Sequence, residues 1–76
     1  RRKELGKVVK GMVEAERIKV RIARDEEMKR IDSAERSKEI TENEKFNLRK
    51  KTQELVDKTN KELDSALDGK IREINN

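Results

Sequence analysis

The sequence contains no cysteine, histidine or proline, and Phe46 is its only aromatic residue. Without cysteine and histidine the chain cannot use a disulfide framework or a zinc site, the usual supports of very small domains. No apolar run approaches the roughly 20 residues that cross a membrane, and the first residues do not lead into a signal-peptide hydrophobic region. We therefore predict no membrane association, and the lack of cysteine favours a reducing compartment, the cytoplasm.

Catalytic chemistry has few residues to use. Tyrosine is also missing, and the acidic run at residues 25–27 occupies consecutive helical positions that cannot converge on one substrate atom. A glycine-rich phosphate loop is absent, and the carboxylates do not show the spacing of a closed metal site. We predict that the chain is not an enzyme and has no catalytic residue, cofactor or metal ion.

Charged residues make up 50% of the 76 residues, whereas only 30% are hydrophobic. So short a chain with so little apolar surface forms a thin core, and we expect it to need a partner surface. Its net charge of +4 is uneven, because residues 1–24 hold nine Lys or Arg against three Glu, leaving a net −2 for residues 25–76. The positive part predicts an anionic partner, with nucleic acid favoured over membrane because bulky apolar anchors are lacking.

Strong helix formers fill the chain, so we predict an all-α fold with helices at about residues 2–34 and 42–74 of one domain, residues 1–76. Thr41 and Glu44 have the spacing of a capping box, which predicts that the second helix starts at Thr41. A short connection makes the two helices an antiparallel hairpin, a rod about 50 Å long at about 1.5 Å per residue.

Each predicted helix has an apolar stripe at steps of three and four residues, which we interpret as the face that packs on the other helix. Glu16 and Glu27 interrupt the first stripe, so either they turn outward or the core is loose. A second stripe on the first helix predicts two helical neighbours, as in a three-helix bundle. The third helix comes either from a missing N-terminal segment of the same protein or from a second copy of the chain. The first helix's stripe is Leu5, Val9, Met12, Val20, Ala23, Ile31 and Ala34, beside Val8, Ala15, Ile18 and Ile22; the second helix's is Leu48, Thr52, Leu55, Thr59, Leu63, Ala66 and Ile74, flanked by Val56, Leu67 and Ile71.

A basic ridge follows one side of the first helix, within an arc of about 100° that we place opposite the main apolar stripe. Arginine can bind phosphate oxygens through two parallel hydrogen bonds, so such a ridge can follow an RNA backbone without reading bases. About six phosphate contacts predict a log–log slope of affinity against salt of about −4 to −5. Exposed helices of highly charged proteins also carry such residues without binding RNA, so the ridge alone leaves both interpretations open. The basic ridge consists of Lys3, Lys7, Lys10, Arg17, Arg21 and Arg24.

The order of residues resembles the C-terminal part of domain I of the ribosome recycling factor family over nearly the whole chain. Residues 39–44, Glu-Ile-Thr-Glu-Asn-Glu, are similar to the family's Glu-Ile-Ser-Glu-Asp-Glu and form the most specific short match. Arg17, Arg21 and Arg24 occupy positions where the family carries spaced basic residues, whereas Asp25 replaces an arginine that the family usually has next. The second helix agrees with the family at Gln53, Leu55, Asp57, Lys58, Lys61, Glu62, Asp64, Leu67, Lys70, Glu73 and Ile74.

The resemblance implies a partial domain I. The family's fold is a three-helix bundle with a smaller β/α domain inserted between its first and second helices, and this sequence has neither the first helix nor the insert. The implied function is ribosome recycling: the factor enters the ribosome after termination, binds large-subunit rRNA, and acts with elongation factor G in splitting the ribosome. The ridge would then hold the factor on rRNA, Arg21 and Arg24 foremost. The alternative is a structural hairpin that self-associates into a homodimeric four-helix bundle and has no RNA-binding role.

Overall fold

The computed structural model describes residues 2–75, without the side chains of Arg2 and Asn75. It contains two α-helices, α1 at Arg2–Arg36 and α2 at Glu42–Asn75, joined by residues 37–41. The helices lie side by side in opposite directions and form a rod with extents of 56 × 15 × 9 Å. This confirms the predicted all-α antiparallel hairpin.

The end of α1 is a Schellman motif. The Lys38 amide donates a hydrogen bond to the Glu35 carbonyl at 3.0 Å, and the Glu39 amide donates to the Ala34 carbonyl at 2.9 Å. Lys38 itself has a φ of 64°, the left-handed conformation that closes this motif. The bonds satisfy carbonyls that the helix end would leave without partners, and the chain reverses direction directly afterwards.

The start of α2 is the capping box that the sequence predicted. Thr41 Oγ1 accepts a hydrogen bond from the Glu44 amide at 3.1 Å, and Glu44 Oε1 accepts one from the Thr41 amide at 3.0 Å. Glu42 and Glu44 also place negative charge in the first turn of α2, which favours the positive end of the helix dipole. Local hydrogen bonds therefore account for both helix ends at the connection, and the start of α2 also has a sequence signal.

The two helices meet along a thin seam. Its most buried side chains are Met28 and Ile31 of α1, which are 8% and 5% exposed, and both lie in the part of α1 nearest the connection. Elsewhere the seam is only half-buried, as expected when a helix has a single neighbour. The half-buried residues of the seam are Val9, Val13, Arg17, Val20, Arg24, Glu27 and Ala34 on α1 and Arg49, Val56, Leu63, Leu67, Ile71 and Ile74 on α2.

The seam is rotated away from the apolar stripes that the sequence predicted. On α1, Val9, Val20, Ile31 and Ala34 face the seam as predicted, but part of the stripe is exposed. On α2, the predicted flank lies in the seam, and three of the seven residues of the predicted face are exposed. The stripes are wider than the surface that one neighbouring helix can cover, so each helix buries one edge of its stripe and exposes the other. The exposed members of the main stripes are Leu5, Met12 and Ala23 on α1 and Leu48, Leu55 and Ala66 on α2, and the second stripe of α1, Val8, Ala15, Ile18 and Ile22, is exposed throughout.

These exposed residues lie on one side of the hairpin. Leu5 and Met12 are seven residues apart and share a side of α1, and Leu48, Leu55 and Ala66 share a side of α2 at separations of seven and eleven residues. Met12 and Ala66 line the same groove, of about 230 Å³, between the helices. Leu5, Met12, Leu48, Leu55 and Ala66 therefore lie on the same side of the hairpin, which we call the apolar face.

Both glutamates in the predicted stripe of α1 have a cationic partner, and only Glu16 turns outward. Glu16 is exposed and accepts a hydrogen bond from Lys19 Nζ at 3.2 Å. Glu27 is half-buried and accepts one from Arg30 Nη1 at 3.0 Å. Each carboxylate thus meets a cation one turn further along α1, and the seam does not contain a carboxylate without a partner at these positions.

Candidate nucleic-acid interface

The side of the hairpin away from the apolar face carries the basic ridge of α1. Arg21 and Met12 are nine residues apart, which is two and a half turns, so they point to opposite sides of the helix. Arg17, Arg21 and Arg24 line a groove of about 300 Å³ that Val56 and Asn60 of α2 complete. We call this feature the arginine groove.

The six predicted site residues do not share one environment. Lys3, Lys7, Lys10 and Arg21 are exposed, whereas the side chains of Arg17 and Arg24 are only 26% and 34% exposed. The prediction that the whole basic ridge lies opposite the packing face is therefore wrong for Arg17 and Arg24, which reach into the seam.

The seven-residue spacing within the ridge explains this difference. Lys3, Lys10, Arg17 and Arg24 follow one another at intervals of seven residues. Seven residues of a straight α-helix fall about 20° short of two full turns, so such a line winds slowly around the helix. It starts on the exposed side at Lys3 and reaches the seam at Arg17 and Arg24.

Arg17 is bound by acidic residues from both helices. Its Nη2 donates a hydrogen bond to Asp64 Oδ1 of α2, and its Nε lies 3.4 Å from Glu14 Oε1 one turn earlier on α1. The hydrogen bond to Asp64 is the main cause that raises the pKa of Arg17 above its ordinary value; desolvation opposes it, and the charges of Asp64 and Glu14 add to it. Arg17 is therefore a cation already paired within the protein.

Arg24 is bound mainly by an amide. Its Nε donates a hydrogen bond to Gln53 Oε1 at 2.7 Å, and Gln53 Nε2 in turn donates to Asp57 Oδ1 at 2.9 Å. Arg24 Nη1 also donates to the neighbouring Asp25 at 3.1 Å. The guanidinium is held in a fixed orientation beside the groove, and its other nitrogen donors remain available to a ligand.

A third side-chain hydrogen bond joins the two helices near the connection. Arg49 Nη1 of α2 donates a hydrogen bond to Asp32 Oδ1 of α1 at 2.7 Å, and Lys45 Nζ lies 3.8 Å from the same oxygen. Within residues 2–75, the direct side-chain hydrogen bonds between α1 and α2 are this one and those of Arg17 and Arg24. The residue of α1 in each of these hydrogen bonds lies away from the apolar face.

Arg21 has the most open position of the three arginines. It is exposed, and in the described part of the chain it forms no ion pair or side-chain hydrogen bond; the same is true of Lys3, Lys7 and Lys10. Beside it, Asn60 Oδ1 and Arg17 Nε are buried in the groove without a hydrogen-bond partner. Four exposed cations without carboxylate partners give this side of α1 the capacity to bind phosphate groups.

Other ligand classes find little support in the structure. Across residues 2–75 no group of acidic side chains is arranged to hold a metal ion. Neither helix has a stretch that is both long and apolar enough to cross a bilayer, as far as the described residues extend.

The sequence does not directly indicate which residues of α2 hold the arginines. Gln53, Asp57 and Asp64 stand out in it only as positions that resemble the family. The available signal is the spacing of Val13, Arg17, Val20, Arg24 and Met28 at steps of four, three, four and four residues, which places both arginines in the packing line.

The family model described as "Ribosome recycling factor" matches residues 1–74. The curated protein "Ribosome-recycling factor" of Lactobacillus delbrueckii subsp. bulgaricus is 39% identical over 74 residues, which are 97% of this chain and 40% of that protein. Those of Syntrophobacter fumaroxidans and Erythrobacter litoralis are 38% and 35% identical over the same shares of the two chains. The chain thus spans about 40% of the length of these relatives. No solved structure matches it.

Proposed function

Because the chain belongs to the ribosome recycling factor family, we propose that it binds large-subunit rRNA and takes part in ribosome recycling after termination. The observation that carries this proposal is the row of exposed cations on α1, of which Lys10 and Arg21 have no carboxylate partner among the described residues. Family membership suggests the ribosome as the partner, and the cations suggest rRNA as the component that is bound. The role requires no catalytic residue on this chain.

Binding follows the RNA backbone. From Lys3 to Arg24 the ridge covers about 32 Å at about 1.5 Å per residue, enough to meet several phosphates of a folded RNA. Lysine and arginine bind phosphate oxygens through charge-assisted hydrogen bonds, which fix position without reading sequence. Base stacking has no part in this mode, because Phe46 lies on α2 and no other aromatic side chain is present.

The hairpin acts as a rigid rod in this proposal. Helix α1 presents the cations, and α2 braces it and orients Arg24. Movement of the rod as one body, driven by elongation factor G in the cytoplasm, would transmit force to the contacts between the ribosomal subunits. Nucleotide hydrolysis then belongs to the partner.

The apolar face requires a cover in the complete factor. We propose that an additional helix of the same protein packs on Leu5, Met12, Leu48, Leu55 and Ala66 and completes a three-helix bundle. The exposure of these side chains supports this arrangement, as does the greater length of the relatives, of which this chain spans 40%. Their additional sequence can supply the helix.

Replacement of Arg21 by Gln tests the RNA-binding proposal. We expect the affinity of the 76-residue chain for purified large-subunit rRNA to fall about tenfold, and the log–log salt slope to become shallower by about 0.7–0.9, because one phosphate contact is lost. Fluorescence anisotropy titrations at several salt concentrations between about 50 and about 200 mM measure both quantities. Lys19→Gln is the matched control, since it removes one charge from a position more than half a turn away on α1.

Unchanged affinity in Arg21→Gln, or a flat salt response of the native chain, would contradict rRNA binding through the ridge. An equal loss in Lys19→Gln would show that net charge alone drives the association.

The alternative function is that of a structural hairpin that dimerises into a four-helix bundle without binding RNA. The exposed apolar face is the observation that favours it, because a second copy can cover the same residues. A discrete dimer that does not bind rRNA supports this alternative. If the N-terminal helix of a relative is added and prevents dimerisation, the result supports the recycling factor.

A further inference from the structure

The Arg17–Asp64 pair interrupts the basic ridge. Arg17 stands between the exposed residues Lys10 and Arg21, yet its guanidinium is bound to Asp64 and lies beside Glu14. Taken as a group, these three side chains carry one positive and two negative charges. An RNA phosphate that approached Arg17 would meet net negative charge and would have to displace a hydrogen-bonded carboxylate.

The neighbouring arginines differ in this respect. Arg21 has no carboxylate within ion-pair distance among the described residues, so its donors face solvent. Arg24 is held through its Nε by the neutral Gln53 at 2.7 Å, which fixes the side chain without cancelling its charge, and Asp25 binds only one of its other nitrogens. Positive charge is therefore available on either side of Arg17 but not at Arg17.

We propose that Asp64 is a positioning residue that withdraws Arg17 from RNA and so divides the basic ridge into two separate phosphate-binding stations. This inference rests on the proposed rRNA binding. One station consists of Lys3, Lys7 and Lys10 near the open end of the hairpin, and the other consists of Arg21 with the free edge of Arg24. Lys10 and Arg21 are eleven residues apart, about 16 Å along the helix at about 1.5 Å per residue.

The division has a consequence for the kind of RNA that is recognised. A continuous row of cations binds any phosphate backbone laid along it, including a flexible single strand. Two stations with a negative position between them favour a rigid, folded RNA that presents two backbone segments about 16 Å apart. Asp64 would thus contribute selectivity for folded RNA at the expense of one possible contact.

A double-mutant cycle on Arg17 and Asp64 tests the inference, with large-subunit rRNA as the probe and the 76-residue chain as the protein. In the native chain, Arg17→Gln should leave the salt slope unchanged. Asp64→Asn keeps the shape of the side chain and releases Arg17, so rRNA affinity should rise and the slope should steepen by about 0.7–0.9. Arg17→Gln in the Asp64→Asn background should remove that gain.

Asp68→Asn is the matched control for charge. Asp68 lies one turn after Asp64 on α2, and its side chain forms no ion pair among the described residues. The variant therefore removes one negative charge without releasing a cation, and it should not change the salt slope. Circular dichroism identifies loss of helix. If Asp64→Asn lowers the helix content, the inference is judged from Arg17→Gln alone, by whether this variant changes the salt slope of rRNA affinity.

The inference is overturned if Arg17→Gln makes the slope shallower by about 0.7–0.9, since Arg17 then contacts phosphate directly. A folded Asp64→Asn with an unchanged slope overturns it as well. Failure of the proposed function looks different, because Lys10→Gln and Arg21→Gln would then also leave rRNA affinity unchanged.

Discussion

Arg17 and Arg24 combine two roles that usually belong to different residues. Both residues stand in the line that packs on α2, Arg17 between Val13 and Val20 and Arg24 between Val20 and Met28. Their guanidinium groups reach the side of the seam where Asp64 and Gln53 accept their hydrogen bonds. A substitution by alanine therefore removes packing as well as charge. For this reason glutamine, which keeps part of the stem, is the better probe of electrostatic effects at these positions.

Lys38 is the residue whose backbone conformation departs most from the preference of its type. Its φ of 64° costs a residue with a Cβ roughly 1 kcal/mol, whereas glycine adopts this conformation freely. We expect Lys38→Gly to raise the free energy of unfolding by up to about 1 kcal/mol, measured by urea denaturation followed by circular dichroism. Lys38→Ala removes the same charge but keeps the Cβ, so it should give no gain. Equal stabilisation by both variants would contradict the backbone explanation.

At the scale of the helices, the two ends of the hairpin differ in stability. The connection end contains the buried Met28 and Ile31, the Schellman motif, the capping box and the Asp32–Arg49 hydrogen bond. The open end contains the three glycines of the chain, Gly6 and Gly11 in α1 and Gly69 in α2. Each glycine lowers helix stability by about 1 kcal/mol relative to alanine, so we expect the hairpin to open from this end.

Alanine at Gly6, Gly11 and Gly69 should stabilise the open end. A Cβ at any of these positions would meet nothing within 4 Å, so the full propensity gain of about 1 kcal/mol per site is expected. Hydrogen exchange of the backbone amides of residues near the open end should slow, with little change near the connection. Ala23→Gly, at an exposed helical position, is the opposite control and should destabilise α1. A gain confined to the connection end would contradict the assignment of the weak region.

At the scale of the whole molecule, the hairpin has two unlike sides. The arginine groove side is closed by hydrogen bonds between the helices, whereas the apolar face presents side chains such as Met12 and Leu55, which are both 65% exposed. A protein with so thin a seam gains stability by covering that face. The apolar face is therefore the side on which a covering surface would stabilise the chain most.

Substitution on the apolar face should control assembly of the isolated chain. We expect the 76-residue chain to form a concentration-dependent dimer, and Leu55→Lys to weaken it at least tenfold, because a charge must then be buried or the contact given up. Phe46→Lys is the control: Phe46 is 66% exposed, like Leu55, but lies nine residues away and so on the opposite side of α2. Sedimentation equilibrium measures the dissociation constant of the dimer for both variants. Equal effects of the two variants would place the interface elsewhere.

The sequence predicted the start of α2 well and its packing face less well. Thr41 and Glu44 identified the start of α2 because a capping box depends only on neighbours in the chain, and its two hydrogen bonds are present. The packing face was predicted less well, since Leu55 was assigned to it and Val56 to its flank, the reverse of their positions in the structure. Apolar stripes as wide as these are compatible with several rotations of the helix, and only the neighbouring helix selects one.

The candidate site shows the same division. The positions of Lys10 and Arg21 on one exposed side of α1 follow from helical periodicity and were predictable. The pairing of Arg17 with Asp64 was not, because these residues are 47 positions apart and meet only through the antiparallel register of the hairpin.

The sequence by itself determined two long helices, their capped connection and a cationic side on the first of them, because helix formation, capping and periodicity depend on residues within a few positions of each other. The tertiary structure decided which edge of each apolar stripe is buried and which side of the hairpin remains apolar and exposed. It also decided which arginines of α1 form hydrogen bonds with side chains of α2. Those outcomes depend on how far each helix is rotated and shifted against the other, and no local rule contains that information.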